Sequence, residues 1–265
     1  MAESWIRRTG SPKRGFRYID GNGRVVRDRR ALARIDALRV PPAWRDVHIA
    51  TSQRSAIQAW GFDARGRKQY RYHGRAVERR ETRKYYRVRQ LAKELPRIRR
   101  TLHEDARPTA GAARLDADAV AATILRLISE TFCRVGGERY LRENGTFGIT
   151  TLRKSHVDFR GDTVRLEYRG KGRIRQCQVI HQGDLVRLVN RQRRTPGARL
   201  FSYRNGARWR VLTARDVNAY LKRRIGPYSA KDFRTWGGTL RMATVLGDVG
   251  PGASAREATR NVALA

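Results

Sequence analysis

The stretch Cys133-Arg134-Val135-Gly136-Gly137-Glu138-Arg139-Tyr140-Leu141-Arg142-Glu143-Asn144-Gly145-Thr146-Phe147-Gly148-Ile149-Thr150-Thr151-Leu152 decides how the chain is read. Upstream of it, Asp116 can cap a helix that carries Val120, Ile124, Leu127 and Ile128 on one face. That helical pattern runs for about twenty residues, roughly 30 Å, and delivers Arg134 to its last turn. Gly136 and Gly137 then stop it, and a second short segment leads into strands. The spacing predicts one guanidinium fixed at a rigid corner. Arginine suits such a corner because its planar fork can hold two non-bridging oxygens of a phosphodiester at once, where lysine offers a point charge.

Downstream, His156–Phe159, Thr163–Tyr168 and Ile174–Ile180 read as antiparallel strands. The turn Arg169-Gly170-Lys171-Gly172-Arg173 sets Lys171 between glycines at a hairpin tip, where the backbone can close on a ligand. Helices are predicted over Asp184–Gln192 and Thr213–Arg224. A third opens at Ser229-Ala230-Lys231-Asp232, with Arg234 in its first turn and Phe233, Trp236 and Leu240 inward. A fourth opens at Ser254 and runs to Ala265 without a stop signal, which is the pattern of a truncated chain.

Upstream, the texture is β-rich. Phe16–Ile19 and Arg24–Val26 flank Asp20-Gly21-Asn22-Gly23, a hairpin signal. A short helix over about 29–38 precedes Val40-Pro41-Pro42, and strand-like pieces follow around Val47–Ala50 and Ala56–Trp60. A second hairpin spans Phe62 to Tyr72. In it Lys68, Tyr70 and Tyr72 alternate onto one face that can sit on DNA, while Gln69 is a residue type that pairs with adenine but points to the other side of a regular strand. The charged segment from Glu78 onward leads into a helix that Pro96 interrupts or kinks, and a loop follows around Pro108 and Gly111. These features define an α+β chain: a small β-rich N-terminal domain over 1–82, and a larger, mostly α-helical domain with a small antiparallel sheet over 83–265.

The charge narrows the partner. Among 265 residues, 59 Lys+Arg face 24 Asp+Glu, a formal +35, with arginine in large excess and spread among tyrosines rather than gathered in a tail. A polyanion, with duplex DNA foremost, is the expected partner. Two cysteines without metal-ligand spacing exclude a disulfide scaffold. No CxxC, HExxH or GxxxxGK[ST] pattern supports a metal or nucleotide site, so no cofactor is expected. No signal-peptide or membrane-spanning run is present, and a cytoplasmic, nucleoid-associated monomer is the expectation.

Taken together, these segments resemble the type IB DNA topoisomerases in their compact poxvirus-like form. The resemblance lies in Arg134-Val135-Gly136 with Tyr140, in Arg142 to Leu152, in Gly170-Lys171, in Lys231-Asp232-Phe233-Arg234-Thr235-Trp236 and in Gly66 to Tyr72. It implies a two-domain clamp around duplex DNA and a tyrosine that attacks a backbone phosphorus to form a 3′-phosphotyrosyl linkage, without ATP or metal. Arg134 and Arg234 would stabilise the pentacoordinate transition state, and Lys171 would protonate the departing 5′-oxygen. Lys68, Gln69, Tyr70, Tyr72, Gly136 and Tyr140 would lie on the DNA.

One part of that pattern is missing. The family carries a Gly-(His or Asn)-Thr-Pro segment and the nucleophilic tyrosine beyond the second arginine, and here no tyrosine or histidine follows Arg234. The chain is therefore expected to bind DNA without cleaving it. Two rivals stand beside this reading. A tyrosine recombinase would place a histidine where Asp232 stands, and a non-catalytic basic DNA-binding protein would not need Lys171 between glycines.

Overall fold

The computed structural model describes residues 5–107 and 115–264. The loop expected around Pro108 and Gly111 lies outside them, as does Ala265 at the end of the last predicted helix. The chain divides into two compact units, Met1–Tyr85 and Tyr86–Ala265.

In the first unit, β1 (Trp5–Ser11), β2 (Gly15–Ile19), β3 (Arg45–Ala50), β4 (Ile57–Phe62) and β5 (Lys68–Tyr72) form one antiparallel sheet in the order β2-β1-β3-β4-β5. Helix α1 (Arg29–Ala37), capped by the Asp28 carboxylate, buries Ile35 with Ile6, Val47, Ile49 and Ala59 from one sheet face. Arg34 fastens the helix to the sheet by donating to Gln58 Oε1 at 2.9 Å and to the Ala50 carbonyl at 2.6 Å. The Asp20 turn forms as read, its Oδ1 accepting from the amides of Asn22 and Arg24 at 2.9 Å each. Strand β1, which no period-2 apolar pattern announces, went unread in the sequence.

Helix α2 (Gly74–Ala106) is continuous through Pro96, contrary to the predicted interruption. Proline removes one backbone donor, but Leu91, Leu95, Ile98 and Leu102 on either side of it are all buried in one core, and that apolar stripe outweighs one lost hydrogen bond.

The second unit is built on α3 (Ala117–Thr131), buried along nearly its whole length; Val120, Ala122, Ile124, Leu125, Leu127 and Ile128 are each fully inaccessible. After α3 come α4 (Glu138–Asn144), a three-stranded antiparallel sheet of β6 (Val157–Arg160), β7 (Thr163–Arg169) and β8 (Arg175–Ile180), and α5 (Gly183–Arg193). A hairpin of β9 (Ser202–Asn205) and β10 (Arg208–Val211), α6 (Ala214–Tyr220), α7 (Ala230–Val249) and α8 (Ala255–Leu264) complete it. Helices α5, α6 and α7 pack on α3.

Four expectations need correction here. Helix α3 has 15 residues and ends at Thr131, so Arg134 lies beyond the helix rather than in its last turn. The stop is Phe132, in the left-handed conformation at φ 52° and ψ 23°, and not the glycine pair. Helix α6 passes into a π-helical turn over Leu221–Ile225, closed by the Gly226 amide donating to the Leu221 carbonyl at 2.9 Å. On α7, Phe233 is buried but Leu240 is 45% exposed, so the apolar face predicted for that helix is covered only near its start.

Candidate active site

Three chain segments are fastened to one another in the second unit, and each brings one cation. Arg134 sits in the loop after α3, whose backbone is held by the segment that follows α4. The Arg134 carbonyl accepts from the Ile149 amide at 2.9 Å, and the Val135 carbonyl accepts from the amide and the Oγ1 of Thr150 at 2.8 Å each. Gly136, at φ 92°, crosses Gly148 there.

The same segment reaches the second cation. The Phe147 amide donates to the Arg169 carbonyl at 2.8 Å, next to the β7–β8 turn. That turn is a short 3-10 turn over Lys171–Arg173, closed by the Gly170 amide on the Ile174 carbonyl at 2.8 Å, with Gly172 at φ 74° and the Lys171 side chain exposed. The Gln176 side chain lies over Gly170, leaving no room for a Cβ there.

Arg234 stands one turn into α7. The helix opens at Ser229 with a capping box, the Ser229 amide and hydroxyl each donating to Asp232 Oδ2 at 2.8 Å. Arg87 from α2 donates to the same oxygen at 2.8 Å and to the Pro227 carbonyl at 3.0 Å. Arg234 itself donates from Nη1 to the Phe132 carbonyl at 2.6 Å.

Arg134, Lys171 and Arg234 thereby line one open pocket of about 370 Å³, together with Phe147, Tyr168 and Gln176. Desolvation, and then the charge of Arg234, push the Arg134 guanidinium below its ordinary value. Three cations converge where no carboxylate lines the wall, so the site gains most from an anion with several oxygens. A larger cleft of about 490 Å³ in the first unit has a different character. Its Arg8 is consumed by backbone carbonyls, among them Trp44 at 2.7 Å and Pro41 at 3.2 Å.

The pocket also holds residues that the sequence did not announce. Tyr168 is 5% exposed, and burial, then the Cys133 thiol, push its phenol up. Phe147 stacks edge-on against His156 with centroids 4.4 Å apart. Neither carries a spacing signal, because each is an inward residue of an ordinary strand or loop.

Among the expected DNA-facing residues, Lys68, Tyr70 and Tyr72 do share a sheet face. Lys68 Nζ lies 3.6 Å from the Trp60 ring centroid, His48 stacks on Trp60 at 4.0 Å, and the Tyr70 and Tyr72 rings lie 5.8 Å apart. Both tyrosines are exposed. Gln69 is on the opposite side, where its Nε2 donates to Asp63 Oδ2 at 2.8 Å. Tyr140 is exposed on α4, and Gly136 serves the backbone crossing described above.

The last two tyrosines before Arg234, Tyr220 and Tyr228, are tied into the helical unit. Tyr220 donates to Asp105 Oδ2 at 2.5 Å and Tyr228 to Glu94 Oε1 at 2.7 Å, and burial first, then the carboxylate, pushes each phenol up, Tyr228 to about 12.

The chain thus pairs a sheet-bearing unit with a helical unit whose open pocket is lined by Arg134, Lys171 and Arg234. Comparison with known proteins places it in a family. Residues 67–265 match the family described as eukaryotic DNA topoisomerase I, catalytic core, and residues 15–63 match the bacterial DNA topoisomerase IB N-terminal domain. The chain is 31% identical over 252 residues to the DNA topoisomerase 1B of Acanthamoeba polyphaga mimivirus, covering 93% of this chain and 73% of that protein. It is 24% identical over 124 residues to the DNA topoisomerase 1B of Vaccinia virus (strain Copenhagen), covering 47% and 38%. The chain belongs to the type IB DNA topoisomerase family.

Proposed function

We propose that the chain binds duplex DNA as a clamp and presents one backbone phosphate to Arg134, Lys171 and Arg234 for the strand cleavage and religation that relax supercoils. The observation that carries this reading is the convergence of those three side chains on one open pocket. The guanidiniums would take the non-bridging oxygens as the phosphorus becomes pentacoordinate, which lowers the barrier where negative charge accumulates. Lys171, on a tight turn at the pocket edge, would protonate the 5′-oxygen as it leaves, a step without which that alkoxide is a poor leaving group. A phenol supplying the nucleophile would conserve the phosphodiester bond energy in a 3′-phosphotyrosyl linkage.

In these 265 residues no tyrosine follows Arg234, where the resembled family carries its nucleophile, and Tyr168, the tyrosine that lines the pocket, is buried. These residues therefore bind and polarise a phosphate without cutting. Monomeric action in the cytoplasm, on the nucleoid, completes the proposal.

Incubation of the chain with supercoiled plasmid in EDTA tests it. Retarded mobility that disappears with added salt, and a plasmid that stays supercoiled after protein removal, are expected. An affinity indifferent to salt overturns the DNA reading, and relaxation of the plasmid overturns the reading that no nucleophile is present. The recombinase alternative is disfavoured by Asp232, whose Oδ2 is already taken by Ser229 and Arg87.

A further inference from the structure

Arg234 does not hold its position alone. Its Nη1 donates to the carbonyl of Phe132, the residue that ends α3. Phe132 is one of four described non-glycine residues at positive φ, at 52°. A bulky side chain in that region costs on the order of 1–2 kcal/mol, so the surroundings must hold it there. The αL turn swings the carbonyl away from the helix axis, where it is free to accept from a side chain instead of from the next turn.

What holds Phe132 is a notch in α7. A Cβ built on Gly237 would stand 2.1 Å from Phe132 Cδ1 and 2.2 Å from Cγ, so the ring occupies the space that any other residue would fill. Gly237 is buried mid-helix with no positive φ, a position where alanine is ordinarily better by about 1 kcal/mol. Its helix therefore has no use for glycine, but the Phe132 ring does. Trp236 closes the other side, edge-on at 5.4 Å.

We infer that Phe132 and Gly237 form a ring-in-notch lock that positions Arg234: the ring seated on Gly237 sets the Phe132 carbonyl, and that carbonyl fixes the direction in which the guanidinium presents its remaining donors to a phosphate. Phe132 is thus a positioning residue, acting through its backbone oxygen and touching no substrate. The inference rests on the phosphate-clamp reading of the pocket.

The test compares two nicked duplexes of one sequence and equal charge, one with a phosphate on the 3′ side of the nick and one with it on the 5′ side. The wild-type chain is expected to prefer the 3′-phosphate. Gly237→Ala should reduce that preference about tenfold, the value of one misdirected charge-assisted hydrogen bond, while leaving affinity for intact duplex unchanged. Phe132→Gly should reduce the preference to a similar extent, because it removes the ring that fills the notch, and combining it with Gly237→Ala should add little further loss. A folded Gly237→Ala variant that keeps the full preference overturns the lock, and so does a double variant whose loss is the sum of the two single losses. Absence of any 3′ preference in the wild type instead overturns the clamp reading. Nitrogen-15 spectra of the wild-type guanidiniums, with the Arg234 signal identified by its loss in Arg234→Lys, decide the matter even where Gly237→Ala does not fold. Hindered rotation about Cζ–Nη1 supports the lock, and free rotation refutes it.

Discussion

Gly148 approaches Gly136 so closely that a Cβ on Gly148 would stand 2.5 Å from both the Cα and the amide nitrogen of Gly136, and 2.6 Å from the Arg134 carbonyl oxygen. Two stretches of backbone touch without side chains between them, and one of them carries Arg134. Replacing Gly148 by alanine forces the crossing apart. The expected cost is about 2–3 kcal/mol of unfolding free energy. Urea denaturation measures it, and the 3′-phosphate preference should fall with it because Arg134 moves.

Asp105 accepts from Tyr220 and from two nitrogens of Arg224, and those bonds, Arg224 first among the causes that lower it, hold its carboxyl below the usual range. Asp105→Ala strands a buried phenol and is expected to destabilise by about 2 kcal/mol. In the wild type a carboxyl held low in the folded state stabilises above its unfolded pKa and loses that contribution as pH falls through the folded value. Asp105→Ala should therefore flatten the stability curve below the ordinary aspartate range, as followed by acid titration of the wild type and the variant.

Tyr228 gives the alkaline counterpart. Its phenol is pushed to about 12 by burial and by the bond to Glu94, against an ordinary 10.0. The folded state keeps this proton after the unfolded chain has lost it, so the contribution is whole below pH 10 and disappears as pH rises toward 12. Thermal melts of wild type and Tyr228→Phe at about pH 9 and about pH 11.5 check this; the wild type should lose more across the interval.

On the sheet of the first unit, Lys68 lies over Trp60 with Tyr70 beside it. If that face contacts the DNA backbone, Lys68→Ala removes one phosphate contact and reduces the slope of log K against log salt by about 0.9. Lys13→Ala, on the β1–β2 turn, serves as the comparison. Titration of a fluorescent duplex at several salt concentrations separates a lost phosphate contact from general misfolding.

Much of this was legible before the structure. Turn chemistry located the Asp20 and Lys171 turns, and the spacing of apolar residues located α3 and α5. The capping box at Ser229 and Asp232 placed α7, and with it Arg234. Illegible were features that depend on contacts distant in sequence. Gly136-Gly137 is the stronger local stop signal, yet α3 ends five residues before Gly136's crossing is complete, because Phe132 finds its notch on Gly237, over a hundred residues away. The β9–β10 hairpin was missed because Arg208-Trp209-Arg210-Val211, although it alternates, is only four residues long and lies exposed along its whole length. Pro96 misled because local propensity was weighed without the buried stripe on both sides of it.

The π-helical turn at Leu221–Ile225 acts as a phase element in the chain. Each α-helical residue advances the helix by about 100°, so the one extra residue in such a turn resets the azimuth at which everything downstream leaves it. Removing a single residue from Lys222-Arg223-Arg224 would change neither the pocket lining nor the core composition, and would still rotate the exit toward Gly226 by about a third of a turn. The bearing of α7, and of the guanidinium it carries, is thus encoded in a count of residues rather than in their identity.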